Sequence, residues 1–232
     1  MDIYGGQDPR DIAAYTPADA AAFLGLPKST LRSWVCGRHY IAGGERKFFE
    51  PVLDLPEKGF LSFTNLVEAH VLASIRCGGI RCGGIRRDVI RASIRFAMDL
   101  LGVAHPLANV EFVHNGVDLF VEHLGQLVNA SKPRQLAWRE WIGTYFKRID
   151  IGDDRRAVRL YPYTREDRER SPTLIVIDPR VSFGRPTIKG TGIPTRTIYS
   201  MYLGGDSVAD LAGDYNVPVA SVEEAIRYEK AA

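Results

Sequence analysis

A rigid segment rich in glycine and proline constrains this chain most strongly. The sequence GRPTIKGTGIP, from Gly184 to Pro194, leads directly into three short amphipathic segments. Its prolines fix φ and its glycines permit tight turns, so we expect a preorganised loop. The last two amphipathic segments, SVADLAGDYNVPVASVEEAIRY, have the spacing of a helix-turn-helix. Residues 173–232 are therefore predicted to form a loop followed by three short helices, in which the loop could simply cap the helical bundle.

A second helix-turn-helix is predicted near the N-terminus, between Thr16 and Trp34. Thr16 is a favourable N-cap, and Pro17 suits the first position of a helix. Leu31 and Trp34 have the i, i+3 spacing that points two side chains inward from one helix. The following run HYIAGGERKFFEPVLDL places a Gly-Gly turn between β-prone residues, as a wing would. Residues 1–75 are predicted to be a winged helix-turn-helix that binds DNA, with an ordinary helical hairpin as the alternative.

Charge separates the two helix-turn-helix units. The net charge of +2 is too small to indicate a nucleic-acid partner, so its distribution matters more. Between residues 28 and 47 five cations oppose Glu45 alone, whereas between residues 206 and 229 six acids oppose Arg227 alone. A polyanion would be attracted by the first unit and repelled by the second. The residues predicted to contact DNA are Lys28, Ser29, Thr30, Arg32, Arg38, Arg46 and Lys47.

The central region, residues 76–163, is predicted to combine helices and hairpins. Residues 85–101 show the strongest helical amphipathicity, with an arginine stripe opposite the apolar face. Asn115-Gly116 lies between two alternating runs and predicts a β-hairpin. A helix over 134–146 and another hairpin over 147–163 follow. With the terminal regions, this pattern predicts a mainly α fold with short β-hairpins, of the α+β class.

Two smaller features of the sequence affect its organisation. The pentapeptide RCGGI occurs in tandem at 76–80 and 81–85. Five residues are not a whole number of helical turns, and each glycine costs a helix about 1 kcal/mol, so we expect one copy to loop out. The segment TREDRERS is entirely polar and has no net charge. Residues 164–172 are therefore predicted to be a linker between the central and C-terminal regions.

Composition and residue spacing exclude several classes of function. The 232 residues contain neither a signal-like start nor an apolar run of roughly 18 residues, which predicts a cytoplasmic protein without a membrane partner. Three cysteines do not suggest a disulfide framework. The five histidines are scattered, without HExxH or CxxC spacing. We therefore predict no catalytic residue, no metal site and no cofactor; a divergent nuclease or hydrolase is the weakest alternative.

The N-terminal third resembles the MerR-type DNA-binding domain. The pattern of that family is met by Tyr15, Ala20 to Ala22, Gly25, Ser29 to Arg32, and Trp34. This resemblance implies a MerR-like winged helix-turn-helix. The long dimerisation helix of MerR regulators is not evident in the sequence.

The C-terminal region resembles a small helical family known as domain of unknown function 433. That family has a GRP-x-I-x-GTRIP loop followed by a helix-turn-helix, and Gly192 stands where it usually has arginine. The resemblance implies a homeodomain-like three-helix module at 173–232. Because the arginine is missing, a contact normally made by that side chain is not expected here.

Taken along its whole length, the sequence resembles the larger VapB-type antitoxins. That resemblance implies an antitoxin that silences a PIN-domain ribonuclease toxin and represses its own operon by binding operator DNA. The apolar residues of the acidic C-terminal helices predict a small core and a homodimer or toxin interface at 173–232, and so a hetero-oligomer with the toxin. The alternative is a MerR-like, ligand-responsive transcription regulator without a toxin partner.

Basic side chains are the predicted toxin contacts. PIN nucleases hold divalent metal in a cluster of carboxylates, so a blocking partner would benefit from arginines presented to that acidic pocket. The candidates around the loop are Arg180, Arg185, Lys189 and Arg196, and those on the central helix are Arg87, Arg91 and Arg95. The alternative for the helical stripe is an ordinary solvated face.

Overall fold

The computed structural model describes residues 4–81, 86–109, 111–112 and 116–231. Within them the fold is α+β, as predicted: helices predominate, and the strands pair in two-stranded antiparallel hairpins. No helix in this part of the chain is long and apolar enough to cross a bilayer.

The N-terminal region forms a helix-turn-helix followed by a β-hairpin wing, which confirms both predictions. Its elements are α1 (Pro17–Phe23), α2 (Lys28–Cys36), β1 (Arg38–Ala42) and β2 (Glu45–Phe49). Thr16 caps α1 because its hydroxyl accepts a hydrogen bond from the Asp19 amide at 3.1 Å. Leu31 and Trp34 of α2 are buried, as their spacing predicts.

Longer helices form the main core. They are α3 (Phe63–Arg81), α4 (Arg87–Leu101), α5 (Val117–Leu127) and α6 (Lys132–Phe146). α3 packs against α6, and α4 packs against α5. Ile90, Ile94 and Ala97 of α4 are buried, which confirms the amphipathic helix predicted over 85–101. α6 confirms the helix predicted over 134–146.

The β-hairpin predicted around Asn115-Gly116 is wrong, because α5 begins at Val117. Asn115 itself and His114 lie outside the described residues, while His123 stacks on Phe96 with ring centroids 4.2 Å apart. The buried face of α5 consists of Val117, Phe120, Val121 and Leu124. These residues recur at i, i+3, i+4 and i+7, and over a short window that set also resembles strand alternation. Packing against α4 and α6 selects the helix.

The tandem RCGGI repeat is described only in part. The first copy, residues 76–80, continues the backbone of α3. Residues 82–85 of the second copy lie outside the described residues. The looping out of one copy therefore stays a prediction.

The C-terminal half begins with short strands and ends in three helices. The elements are β3 (Ile149–Ile151), β4 (Ala157–Leu160), β5 (Ile175–Val176), β6 (Thr187–Ile188), α7 (Thr195–Gly204), α8 (Val208–Asp214) and α9 (Val219–Ala231). β3 pairs with β4, as predicted, and β5 pairs with β6. β6 lies within the glycine-proline loop, which in the folded chain extends from Ile177 to Pro194. Leu211, Val222 and Ala225 are fully buried in a second, smaller core.

The polar segment 164–172, predicted to be a linker, is held in place at both ends. Thr164 and Ser171 are buried, and the Thr164 amide donates to the Ser171 hydroxyl at 2.8 Å. The Thr164 hydroxyl donates to Glu224 of α9, and Arg165 pairs with the same carboxylate at 2.7 Å. The exposed charges of the segment lie between these two attachments.

Tyrosine hydroxyl groups fasten the C-terminal module to the N-terminal region. Tyr4 donates to the Pro179 carbonyl at 3.0 Å, and Tyr15 donates to the Gly184 carbonyl at 3.1 Å. In the reverse direction, Tyr228 of α9 donates to the Phe23 carbonyl at 2.9 Å. The loop and the first helix-turn-helix therefore hold each other in place.

A backbone bridge also joins the central hairpin to the C-terminal module. The Leu160 amide donates to the Ile177 carbonyl at 3.0 Å, and the Ile177 amide donates back at 2.8 Å. Arg159 of β4 pairs with Asp178 at 3.0 Å beside this bridge. The start of the loop is thus fixed by main-chain hydrogen bonds as well as by side chains.

Alanine at Gly184 should destabilise the protein more than alanine at Gly190. Both glycines have positive φ, 72° and 78°, so each substitution carries the left-handed penalty of about 1–2 kcal/mol. Only at Gly184 would the new Cβ collide with the buried Tyr15 hydroxyl, whereas the space around Gly190 is open.

We expect Gly184→Ala to lose about 1–3 kcal/mol beyond the loss of Gly190→Ala, measured as the free energy of unfolding in urea. Equal losses would mean that the contact between Tyr15 and the loop does not restrain the fold.

Candidate functional site

The second helix of the N-terminal helix-turn-helix presents a polar, basic face to solvent. Lys28, Ser29 and Arg32 are exposed on α2, as a DNA-reading helix requires. The prediction that Thr30 contacts DNA is wrong, because only 5% of its surface is exposed. Its neighbour Leu31 is fully buried, so this part of α2 faces the core. The exposed face is therefore narrower than the sequence suggested.

The exposed N-terminus of α2 adds a positive field to these side chains. Pro27 occupies the N-cap position, and no side chain caps the first turn. The first amides of a helix carry part of the positive end of its dipole, which favours an anion such as phosphate. In the described part of the chain, neither Lys28 nor Arg32 forms an ion pair. Their charge is available to a ligand.

The wing follows α2 directly after a tight turn at Gly37. Gly37 ends α2 with φ 71°, and a Cβ there would collide with the Phe49 carbonyl. Tyr40 stacks on Phe49 across the two strands, with ring centroids 4.0 Å apart. The predicted wing contacts Arg38, Arg46 and Lys47 are all exposed. They extend the basic face of α2 along the hairpin.

An apolar contribution from the wing was not predicted. Ile41 is 79% exposed and lies opposite Arg46 in the strand register, and Phe48 is 47% exposed beside Lys47. Alternation within strands could have indicated outward-facing apolar residues, but the same alternation also fits a buried face.

The structure places part of the arginine stripe of α4 beside the wing. Arg91 pairs with Glu50 just after β2, and Arg95 is exposed. Both line a cleft of about 500 Å³ whose other wall includes Tyr40 and Phe49. The side chain of Arg87 lies outside the described residues. That this arginine stripe contacts a toxin stays a prediction. In the structure its described side chains lie beside the wing.

The glycine-proline loop presents the second predicted set of cations. Arg180, Arg185, Lys189 and Arg196 are all exposed. Among the described residues, none of the three arginines forms an ion pair, and the Lys189 ammonium lies 5.0 Å from the centroid of the Tyr161 ring. The loop thus carries a concentration of positive charge on a rigid support.

The turn inside this loop exposes Phe183, which no sequence pattern indicates as a site residue. Ser182, Phe183 and Gly184 all have positive φ, at 48°, 54° and 72°. A positive φ is rare for a residue with a bulky side chain such as Phe183. Phe183 is also 73% exposed. Glycine at 184 fits the turn, but no sequence signal indicates that its two predecessors share its conformation.

One of the acids on the C-terminal helices, Glu224, is buried and paired with arginines inside the protein. Burial raises the pKa of the Glu224 carboxyl group, but hydrogen bonds from Arg165 and Thr164 and the charges of Arg165 and Arg227 together outweigh it, so the pKa is lowered. The remaining acids include Asp206, Asp210, Asp214 and Glu223, which are exposed. The surface of α8 and α9 therefore remains acidic, as predicted.

A cavity of about 490 Å³ lies between α3 and the segment after α4, and its lining includes Asp11, Asn65 and His105. His105 contacts the buried Glu68 carboxylate through Nδ1 at 3.1 Å, and the side-chain amide of Asn65 donates to the same oxygen at 3.1 Å. This hydrogen bond raises the pKa of His105, outweighing partial burial. Within the described residues no group of histidine, cysteine or carboxylate side chains is arranged to hold a metal ion.

The His105–Glu68 pair should make stability depend on pH. A pKa raised above the ordinary 6.5 means that its stabilisation is present below that value and is lost as the pH rises through the folded-state pKa. We expect His105→Gln to lower the free energy of unfolding more at about pH 5.5 than at about pH 8.5, measured by urea denaturation. If the difference in the free energy of unfolding between the two proteins stays constant or grows as the pH rises, His105 and Glu68 do not form a stabilising charged pair.

Comparison with known proteins identifies two regions of this chain. Residues 13–89 match the family described as "Putative DNA-binding HTH domain", which covers the helix-turn-helix and the wing. Residues 175–228 match the family described as "Protein of unknown function (DUF433)", which covers the loop and α7 to α9.

Relatives extend this likeness to nearly the whole chain. The chain is 25% identical to "Putative antitoxin VapB45" of Mycobacterium tuberculosis H37Rv, over 93% of each sequence. It is 26% identical to the uncharacterized protein Rv2308 of the same strain, over 95% of this chain and 91% of that protein. The crystal structure of Rv2018 from Mycobacterium tuberculosis superposes with a TM-score of 0.68 and 21% identity, covering 93% of this chain and 98% of that one. This last likeness concerns the fold alone.

Proposed function

We propose that the chain is an antitoxin of a type II toxin–antitoxin module. It binds and silences a PIN-domain ribonuclease, and it represses its own operon by binding operator DNA. The observation that carries this proposal is the similarity to "Putative antitoxin VapB45" over 93% of both sequences, combined with two separate basic surfaces on one fold. The proposed complex is cytoplasmic and contains a homodimer of this chain.

The operator-binding surface is α2 and the wing, arranged as in MerR-type domains. Lys28, Ser29 and Arg32 meet the DNA from α2, where the charges of Lys28 and Arg32 also pair with phosphates. Arg46 and Lys47 hold further phosphates from the wing. This assignment is supported by their exposure and by the family match at residues 13–89. The acidic surface of α8 and α9 is repelled by phosphate and is left for protein contacts.

The toxin-binding surface is the glycine-proline loop. Arg180 and Arg185 have no carboxylate partner among the described residues, so a cluster of acids on another protein can pair with them. Metal-dependent nucleases present such clusters around the scissile phosphate. Covering that cluster prevents RNA from entering, and the antitoxin needs no chemistry of its own.

A second candidate function is supported by one cavity. About 710 Å³ of space lies where the helix-turn-helix, α3, α6 and α9 meet, lined by Leu26, His70, Tyr145, Tyr163 and Arg227, among others. Burial lowers the pKa of His70 to about 3, so its imidazole is neutral in this wall, which also contains the charged side chains of Arg168 and Arg227. A concave site with aromatic walls suits a small ligand, as in a ligand-responsive regulator without a toxin.

Co-purification distinguishes the two functions. We expect the intact chain, expressed with its neighbouring reading frame, to elute together with a ribonuclease whose activity it suppresses. Elution alone, with operator affinity that responds to a small molecule, would favour the regulator.

Removing two cations from α2 should weaken operator binding selectively. Lys28→Ala with Arg32→Ala is expected to reduce the slope of log K against log salt by about 2, because each phosphate contact contributes about one unit. Fluorescence anisotropy with the promoter fragment measures this slope. The control is Arg139→Ala with Arg170→Ala, which removes the same charge from exposed positions elsewhere. Equal losses for both double variants would contradict a specific role for α2.

Reversing one charge in the loop should weaken toxin neutralisation. Arg185→Glu is expected to raise the dissociation constant for the ribonuclease by roughly tenfold or more, chiefly through slower association at low salt. The matched control is Arg170→Glu, whose side chain is exposed in the segment 164–172. An unchanged constant for Arg185→Glu would remove the loop from the toxin interface.

A further inference from the structure

Phe183 is exposed by a backbone conformation that its own side chain disfavours. Its φ of 54° and ψ of 36° lie in the left-handed region, and Ser182 before it shares that region. Bulky residues in this conformation are outliers that persist only when the surrounding structure fixes them. Asparagine or glycine would suit the position better, so local stability does not explain a phenylalanine there.

Several contacts hold this turn in place. The Ser182 hydroxyl donates to the Gly192 carbonyl at 2.8 Å, which joins the two arms of the loop. The Gly184 amide donates to the Val181 carbonyl at 2.9 Å, and the Gly184 carbonyl accepts from the buried Tyr15. These contacts all involve the neighbours of Phe183. They position its ring without covering it.

We infer that Phe183 is the apolar anchor by which the loop binds its protein partner. The partner presents an apolar pocket with carboxylates at its rim: the ring fills the pocket, and Arg180 and Arg185 pair with the acids around it. Rigid aromatic side chains flanked by arginine are typical of residues that dominate binding energy. This inference rests on the proposed toxin-binding function and adds the residue and the chemistry of the pocket.

A second copy of this chain does not fit this surface. A twofold-symmetric contact centred on Phe183 would bring Arg180 and Arg185 close to the same cations of the other copy, which is repulsive. A contact with the acidic α8–α9 surface of another copy would be heterologous. Such head-to-tail contacts form rings or open filaments rather than a twofold dimer. A different polypeptide meets neither difficulty.

A nucleic acid is also a poorer fit. Stacking aromatics beside arginines can bind single strands, but the module that carries Phe183 also exposes Asp206, Asp210, Asp214 and Glu223. A polyanion that extends past the loop would be repelled by these acids. A protein that carries acids only around one pocket would not be repelled in this way.

The decisive variant is Phe183→Asn, since asparagine tolerates the left-handed conformation. We expect the urea midpoint to stay the same or rise, operator binding to be unchanged, and the dissociation constant for the adjacent reading frame's PIN-domain ribonuclease to rise by roughly tenfold or more. The loss should come from faster dissociation and should persist at high salt, unlike the loss in Arg185→Glu. Ile41→Asn, at the similarly exposed wing residue, should leave ribonuclease binding unchanged.

Different results would overturn different parts of this account. Ribonuclease binding by Phe183→Asn at the unaltered affinity overturns the anchor alone. A large fall in the urea midpoint shows that Phe183 stabilises the fold, which also overturns it. Conversion of a dimer to a monomer, or loss of affinity for an RNA oligonucleotide, assigns the ring to another partner. Failure of the unaltered chain to bind the ribonuclease overturns the proposed function and this inference together.

Discussion

Hydrogen bonds between tyrosine hydroxyls and backbone carbonyls determine how this molecule is arranged. Tyr4 and Tyr15 reach from the N-terminal region to the loop, and Tyr228 reaches back from the last helix to the end of α1. Tyr15 and Tyr228 are buried, and burial raises the pKa of both hydroxyl groups, so they remain neutral donors. Because such donors lose free energy when their acceptors move away, the two modules keep one relative position.

That fixed arrangement gives the molecule two charged surfaces with different tasks in the proposed function. The exposed face of α2 and the wing is basic and lacks internal ion pairs among its described residues, as a phosphate-binding surface requires. The loop is basic as well, but it lies on a module whose helices α8 and α9 expose acids. The proposed division of labour follows from this difference: the extended basic face suits a polyanion, and the confined one suits an acidic pocket on a protein.

The sequence predicted the elements of local origin well. The N-cap at Thr16, the Gly-Gly turn of the wing and the apolar spacing of α4 each carry a signal within a few residues, and each element forms as expected. The hairpin around Asn115-Gly116 was wrong because a turn signal outweighed apolar positions that only tertiary packing makes helical. Short windows cannot separate these two periods.

Features that depend on distant contacts could not be predicted. Thr30 lies among exposed residues in the sequence, and its burial follows from how α2 packs. The conformation of Ser182 and Phe183 depends on Gly192 and on Tyr15, which lies more than 160 residues earlier. The burial of Glu224 likewise requires Arg165 from another segment. Such pairings leave no periodic pattern in a single sequence.

Hydrogen–deuterium exchange on the intact chain tests most directly whether the two surfaces serve different partners. With the promoter fragment added, we predict slower exchange in residues 28–49 and little change in residues 180–196. With the PIN-domain ribonuclease added, we predict the reverse. Protection of the same segment by both partners, or of neither segment by either partner, would contradict the account.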